Sequence, residues 1–160
     1  MNKEKKLIII SNEKVSENED GFYCDNIDMK SIPEGLIKNL EVFFIARKSH
    51  IKKPHQINLK RIQITSNIFA FLISIYRTFN SKQNNYLLIS VTPYTFFAAL
   101  FLFIFRKKTF VYLRSNGYEE YKYIFGFIGP LIYHFLYTTV TLTSSVITCQ
   151  KRLVKKKKAI

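Results

Sequence analysis

Seven consecutive positions, Arg114-Ser115-Asn116-Gly117-Tyr118-Glu119-Glu120, hold the side chains of this sequence best suited to act together chemically. Arg114 offers a planar, permanently charged fork that fits phosphate or carboxylate. Gly117 would let the backbone turn sharply, and amides opening a helix just beyond it would add donors for an anion. Glu119 and Glu120 are the only acidic residues after Glu41, so they are the carboxylates available there for proton transfer or for holding a hydroxyl. Ser115 and Asn116 add short polar groups. A second run, Thr92-Pro93-Tyr94, follows another apolar stretch and contributes Thr92 and Tyr94 as further binding candidates. The two glutamates also have an architectural use, because carboxylates in the first turn of a helix are favoured by its dipole.

The elements around these residues follow from the apolar runs. Phe110–Leu113 reads as a buried strand emptying into a loop and a helix start, and in an open α/β sheet such a loop is where ligands sit. Lys6–Asn12 predicts a buried first strand, and the polar stretch Glu13–Asn26 a long loop at its carboxyl end. Asp28–Leu40 predicts a helix with Ser31 as cap, Pro33 behind it and Glu34 in the capping-box position. Glu41–Ala46 is a second buried strand, stopped by Arg47-Lys48-Ser49-His50, and Arg61–Ile64 a short edge strand. Ser66 or Asn67 caps a helix whose apolar positions Ile68, Phe69, Phe71, Leu72, Ile75 and Phe79 hold a helical period. Tyr86–Val91 is another buried strand, Thr92-Pro93 opens a helix reaching Phe105, and Ser144–Cys149 is a sixth strand.

Strands buried on both faces and alternating with helices imply a mostly parallel sheet covered on both sides. The expected fold is therefore α/β and Rossmann-like, in one domain over residues 1–150 with a basic tail at 151–160; 160 residues suffice for one full core and not for two. Three loops are expected to meet at the carboxyl edge of the sheet: Glu13–Asn26, Thr92–Tyr94 and Arg114–Glu120.

Charge is unevenly placed. Through Glu41 there are 9 acidic and 6 basic residues, a balance of −3, whereas from Val42 onward 19 basic residues face 2 acidic ones, a balance of +17. The partner of the later part should be anionic. Nucleic acid fits poorly, because no helix-turn-helix or zinc spacing accompanies the basic residues. A nicotinamide dehydrogenase is disfavoured too: Gly21 stands alone after the first strand, without the GxGxxG spacing that cradles a dinucleotide. Cys24 and Cys149 suggest neither a zinc site nor an obligatory disulfide, and no metal and no cofactor is expected. His50, His55 and His134 are scattered, with no Ser/His/Asp arrangement, and His134 within its apolar helix reads as a satisfied core residue. The amino terminus has four consecutive apolar residues, far short of a signal-peptide core, which implies a cytoplasmic address.

Two segments bear on membranes. Pro93–Phe105 is too short to cross a bilayer, while Tyr123–Leu142 has the length and no charge. Gly126, Gly129-Pro130 and His134 favour a helix, or two short helices broken at Gly129-Pro130, packed on the sheet or lying in the interface. Arg106–Lys108 and the lysines of 151–158 would hold such helices to an anionic leaflet, or be solvated caps and a tail.

Gly21-Phe22-Tyr23-Cys24-Asp25-Asn26-Ile27-Asp28, the strand ending in Arg47-Lys48-Ser49, the Thr92-Pro93-Tyr94 turn and above all Tyr112-Leu113-Arg114-Ser115-Asn116-Gly117-Tyr118-Glu119-Glu120-Tyr121 resemble the amino-terminal domain of bacterial glycosyltransferases of the two-Rossmann-domain (GT-B) class, in the retaining group of envelope polysaccharide synthesis. The resemblance extends over nearly the whole chain. It implies that this domain binds a glycan or lipid-linked acceptor, at the inner face of the cell membrane. The nucleotide-sugar donor would be bound by a carboxyl-terminal domain, missing here or supplied by a separate chain, and this chain alone would be inactive. Where such enzymes often place a histidine or aspartate near the transferred sugar, this sequence has Arg114, Ser115 and Asn116. The other reading is a membrane-surface binding protein with a Rossmann-like core and no catalytic activity.

Overall fold

The computed structural model describes residues 6–80, 84–149 and 153. The chain divides into two compact units, Met1–Tyr86 and Leu87–Ile160.

In the first unit, strand β1 (Lys6–Asn18) is the axis. Its apolar run Ile8–Ile10 is fully buried, as a strand with neighbours on both faces requires. Strand β3 (Glu41–Lys48) pairs with it in parallel, Ile8 opposite Phe43 and Ile10 opposite Ile45, with a shift in register between Ile10 and Lys14. Strand β5 (Ile62–Thr65) extends the parallel sheet from β3, as the short edge strand expected there. The polar stretch Glu13–Asn26 is not a loop. β1 continues through it to Asn18 and turns back as β2 (Gly21–Cys24), antiparallel to β1, with Val15 opposite Cys24. Strand β4 (His55–Ile57), with no counterpart among the predicted strands, pairs antiparallel with β2. Val15, Ser16 and Cys24 of this ribbon are buried while Lys14 and Glu17 are exposed, so a half-polar sequence suffices to form it.

Helix α1 (Ile27–Leu36) begins four residues before the expected cap. Asn26 caps it, its Oδ1 accepting from the Asp28 amide at 2.9 Å, while Ser31 lies inside the helix and donates to the Ile27 carbonyl at 2.9 Å. Asn26 stands two residues after the end of β2, so its side chain reaches the free amides first. Pro33 falls inside the helix, where its missing N–H removes a rung of the hydrogen-bond ladder, and Glu34 accepts from the Asn58 amide at 2.7 Å instead of closing a capping box. Helix α2 (Ile68–Tyr76) takes Asn67 as its cap, Oδ1 accepting from Ala70 N at 2.9 Å, and runs on into one 3-10 turn, Arg77–Asn80.

The division between the units falls within β6 (Asn85–Ile89). From there the second unit alternates strand and helix: α3 (Pro93–Ile104), β7 (Thr109–Leu113), α4 (Gly117–Phe125), a 3-10 turn at Gly126–Ile128, α5 (Gly129–Thr143) and β8 (Ser145–Thr148). β7 lies between β6 and β8 and is parallel to β8, with Val111 opposite Val146. The core is formed by Leu88, Ile89, Ala98, Leu102, Val111 and Val140. The fold class is α/β and Rossmann-like, a mostly parallel sheet with helices on both faces.

By length and composition, Gly117–Thr143 would suffice to cross a bilayer. It is two helices, however, broken a turn earlier than Gly129-Pro130 suggests. The chain bends at Gly126, at φ +62°, and α4 folds back on α5. The approach is so close that a Cβ on Gly129 would lie 2.0 Å from the Tyr121 carbonyl oxygen.

Candidate functional site

Two strand ends build a small cleft in the second unit. After β6 the backbone passes through Ser90 at φ +63°, a left-handed conformation that costs a non-glycine residue about 1–3 kcal/mol. Thr92 then caps α3: its Oγ1 accepts from Thr95 N at 3.3 Å, and Thr95 Oγ1 accepts from Thr92 N at 2.8 Å, a capping box closed by two threonines, with Pro93 at the first helical position. After β7, Arg114 and Ser115 lead to Asn116, which caps α4. Its Oδ1 accepts from Tyr118 N at 3.3 Å and its Nδ2 donates to Glu119 Oε1 at 2.8 Å.

The cleft between these ends has a volume of about 100 Å³. It is lined by Ser90, Thr92, Arg114, Ser115, Gly117 and Glu120, with Tyr121 and Tyr133 beneath them. Thr92 and the 114–120 segment thus come together as the sequence suggests. Tyr94, on the first turn of α3, is not among the lining residues, and Glu119 is turned to its helix cap. Gly117 does not serve as a flexible turn; it is the first residue of α4 and sits against the Tyr133 ring, where a Cβ would lie 2.1 Å from Cε2. The segment Glu13–Asn26, expected as a third binding loop, is strand and turn in the first unit. The basic cluster at 151–158 lies outside the described residues apart from Leu153.

Sequence reasoning missed Ser90 and Tyr133. Ser90 Oγ is buried without a hydrogen-bond partner among the described residues, and buried polar atoms without partners mark places where a ligand or water completes the structure. Tyr133 belongs to a tyrosine cluster, its ring centroid 4.8 Å from that of Tyr118, 5.1 Å from Tyr121 and 5.9 Å from Tyr137. Tyr118, Tyr133 and Tyr137 also line a neighbouring cavity of about 260 Å³ together with Ser115, Asn116 and Gly117. Burial, and after it the neighbouring phenols, push the Tyr133 hydroxyl well above its usual range. Burial also raises Tyr118 and Tyr121. These phenols therefore remain neutral donors at ordinary pH. His134 is exposed rather than in the core, because Tyr133 and Leu136 take the inward positions of α5, and its Nδ1 lies 2.9 Å from the Tyr118 hydroxyl.

Chemically, the cleft offers one guanidinium, one carboxylate and several hydroxyls. At about 100 Å³ it admits a single phosphate or hydroxyl-bearing group, well below the several hundred cubic ångströms that enclose a nucleotide-sized ligand. The same unit exposes Tyr123, Ile124, Phe125 and Phe127 on the elbow between α4 and α5, Leu131 and Phe135 along α5, and Phe103 and Ile104 at the end of α3. Tyr123 is 93% and Phe127 84% exposed, and Arg106, Lys108 and Lys122 are exposed nearby in sequence.

No family model and no curated protein matches this chain. Among solved structures, the chain is similar to the C-terminal domain of Coenzyme A biosynthesis bifunctional protein CoaBC, with a TM-score of 0.45 and 8% identity over 75% of this chain and 69% of that one.

Proposed function

We propose that this chain is the acceptor-side half of a glycosyltransferase of envelope glycan synthesis, working in the cytoplasm as a peripheral protein on the inner, anionic face of the cell membrane. Its donor, a nucleotide-sugar, is held by another domain or a separate chain. The observation that carries this reading is that one helix joins a polar cleft to an apolar elbow. α4 has Glu120 in its first turn, beside Arg114, and Tyr123 to Phe125 in its last. Nine residues of helix span about 13 Å, the separation of the cleft from the elbow. A lipid-linked acceptor whose chain follows the elbow would present its phosphate to Arg114 and a sugar hydroxyl to Glu120.

In this reading Arg114 holds the acceptor phosphate through a charge-assisted fork, Ser90 and Ser115 orient it, and Glu120 accepts a hydrogen bond from the attacking hydroxyl. Holding the acceptor contributes positioning; the electrostatic stabilisation of the departing nucleotide must come from the donor side.

The test is release of nucleoside phosphate from a panel of sugar donors, with membrane extract as acceptor, by the purified chain with and without candidate donor-side partners. Turnover is expected only with a partner. Arg114→Ala should then lower kcat/KM by about ten- to a hundredfold, the equivalent of one charge-assisted bond, and Glu120→Gln should lower kcat without unfolding the chain. Wild-type rates in both variants would remove the cleft from the mechanism. Turnover by the chain alone, lost in a Glu119→Gln, Glu120→Gln variant, would mean that the site is complete within it. The apolar elbow also favours a second reading, a membrane-surface binding protein without activity, which predicts vesicle binding and no turnover with any partner.

A further inference from the structure

The first unit holds a different polar cavity, at the amino ends of its parallel strands. Its volume is about 300 Å³. Lys6 opens β1, Arg61 immediately precedes β5, and Arg77 lies at the end of α2; all three line it, with Ile8 and Phe43 as an apolar wall. Two of the three cations share one carboxylate. Glu41 pairs with Lys6 at 3.0 Å and also with Arg61. Arg77 has no carboxylate within ion-pair distance among the described residues. The balance at the cavity is thus two positive charges beyond what Glu41 neutralises, which suits a dianion.

An independent feature concerns Asn84, which also lines the cavity and is only 7% exposed. Its Nδ2 donates to the Thr78 carbonyl at 2.7 Å, which fixes the amide's orientation, and its Oδ1 has no hydrogen-bond partner among the described residues. A buried acceptor left without a donor is costly, and a ligand hydroxyl would supply the donor. Cations for an oxyanion, an orphaned acceptor for a hydroxyl and an apolar wall for a short carbon skeleton are the complement of one class of molecule.

We propose that this cavity binds a small phosphomonoester bearing at least one free hydroxyl. Its phosphate lies on Arg77, Lys6 and Arg61, its hydroxyl donates to Asn84 Oδ1, and its carbons rest on Ile8 and Phe43. The volume stands at the lower end for small-molecule sites and suits a polyol or sugar phosphate. The same chemistry is carried by a phospholipid headgroup. The site is independent of what the Arg114 cleft does.

Isotope-labelled full chain would be titrated at constant ionic strength with sn-glycerol 3-phosphate and with methyl phosphate, which lacks hydroxyls, while amide and side-chain resonances are followed. Saturating shifts confined to Lys6, Arg61, Arg77 and Asn84 are expected, with glycerol 3-phosphate about tenfold tighter, the equivalent of one hydrogen bond to the buried acceptor. Arg77→Gln, at an exposed position, should weaken both ligands about tenfold or more, and Arg114→Ala should change neither. Shifts at these residues with vesicles containing lysophosphatidic acid, which keeps a free hydroxyl beside its phosphomonoester, and with neither soluble ester would support the site and assign it to a headgroup. Shifts that fail to saturate, spread over lysines generally or persist in Arg77→Gln would overturn the proposal. Equal affinity for the two esters would overturn the Asn84 contact.

Discussion

A methyl group added at Gly117 would lie 2.1 Å from Cε2 and 2.2 Å from Cζ of Tyr133, so Gly117→Ala must displace either the ring or the first turn of α4. Overpacking of this kind destabilises by about 1–3 kcal/mol, and a lowered urea midpoint would register it. The same variant with Tyr133→Leu should recover much of the loss, since the obstacle is the ring. The two cysteines provide a second test. Cys24 is buried and its Sγ donates to the Asn26 carbonyl at 3.3 Å, whereas Cys149 is exposed. Burial, and then the charge of Glu13, push the Cys24 thiol up to about 11. At pH 8 a thiol reagent should modify Cys149 in the native chain and Cys24 only after unfolding. Because the folded value lies above the unfolded one of about 9, the native state binds the extra proton. This contribution to stability is complete below pH 9 and is lost as the pH rises toward 11. Tyr121 and Tyr133, raised from their ordinary value by burial, add losses in the same direction above about pH 10. The urea midpoint should therefore fall above pH 9, and Cys24→Ala should remove the earlier part of the fall.

At the level of elements, α3 rests on its two-threonine capping box. Thr92→Ala should cost about 1 kcal/mol and Thr92→Ser much less, readable as a difference in denaturant midpoint. That box was legible as a helix start from Thr92-Pro93. So were the strands at Ile8, Phe44, Leu88 and Val111, because each is an apolar run too short for a helix and closed by polar residues. The β1–β2 ribbon was not legible. Of Glu13–Asn18 only the adjacent Val15 and Ser16 are buried, and the sequence there is as polar as any loop. At α1 the sequence points to Ser31 as the cap, whereas Asn26 takes that place, because the position of the preceding strand decides where the helix starts. Within the cleft, Thr92, Arg114, Ser115, Gly117 and Glu120 could be read because each follows an apolar strand closely. Tyr133 could not, since it arrives from another helix through the bend at Gly126. The cavity of Lys6, Arg61, Arg77 and Asn84 is drawn from four separate segments, and no spacing announces it.

For the molecule as a whole, the excess of basic residues after Glu41 and the exposed apolar elbow predict binding to vesicles. Sedimentation should recover more chain with anionic than with neutral vesicles, and salt should release it as the Debye length shrinks from about 10 Å at 0.1 M to about 3 Å at 1 M. A Tyr123→Asp, Phe127→Asp variant should bind less to both kinds, since these side chains are the most exposed large apolar groups of the elbow. Equal binding to both lipids would leave no electrostatic part. The pairing of β7 with β8 imposes a further restriction. Phe110 to Leu113 are matched one to one with Ser145 to Thr148, and a hydrogen-bonded ladder cannot have its two strands on opposite sides of a bilayer. The chain between them can therefore cross a membrane only an even number of times. The ladder allows α4 and α5 to dip and return like the two legs of a hairpin, but while it stands they cannot thread the segment to the far side. Cysteine labelling would reveal this parity directly: Cys149 and a cysteine placed at Ser115 should be reached by an impermeant reagent from the same face.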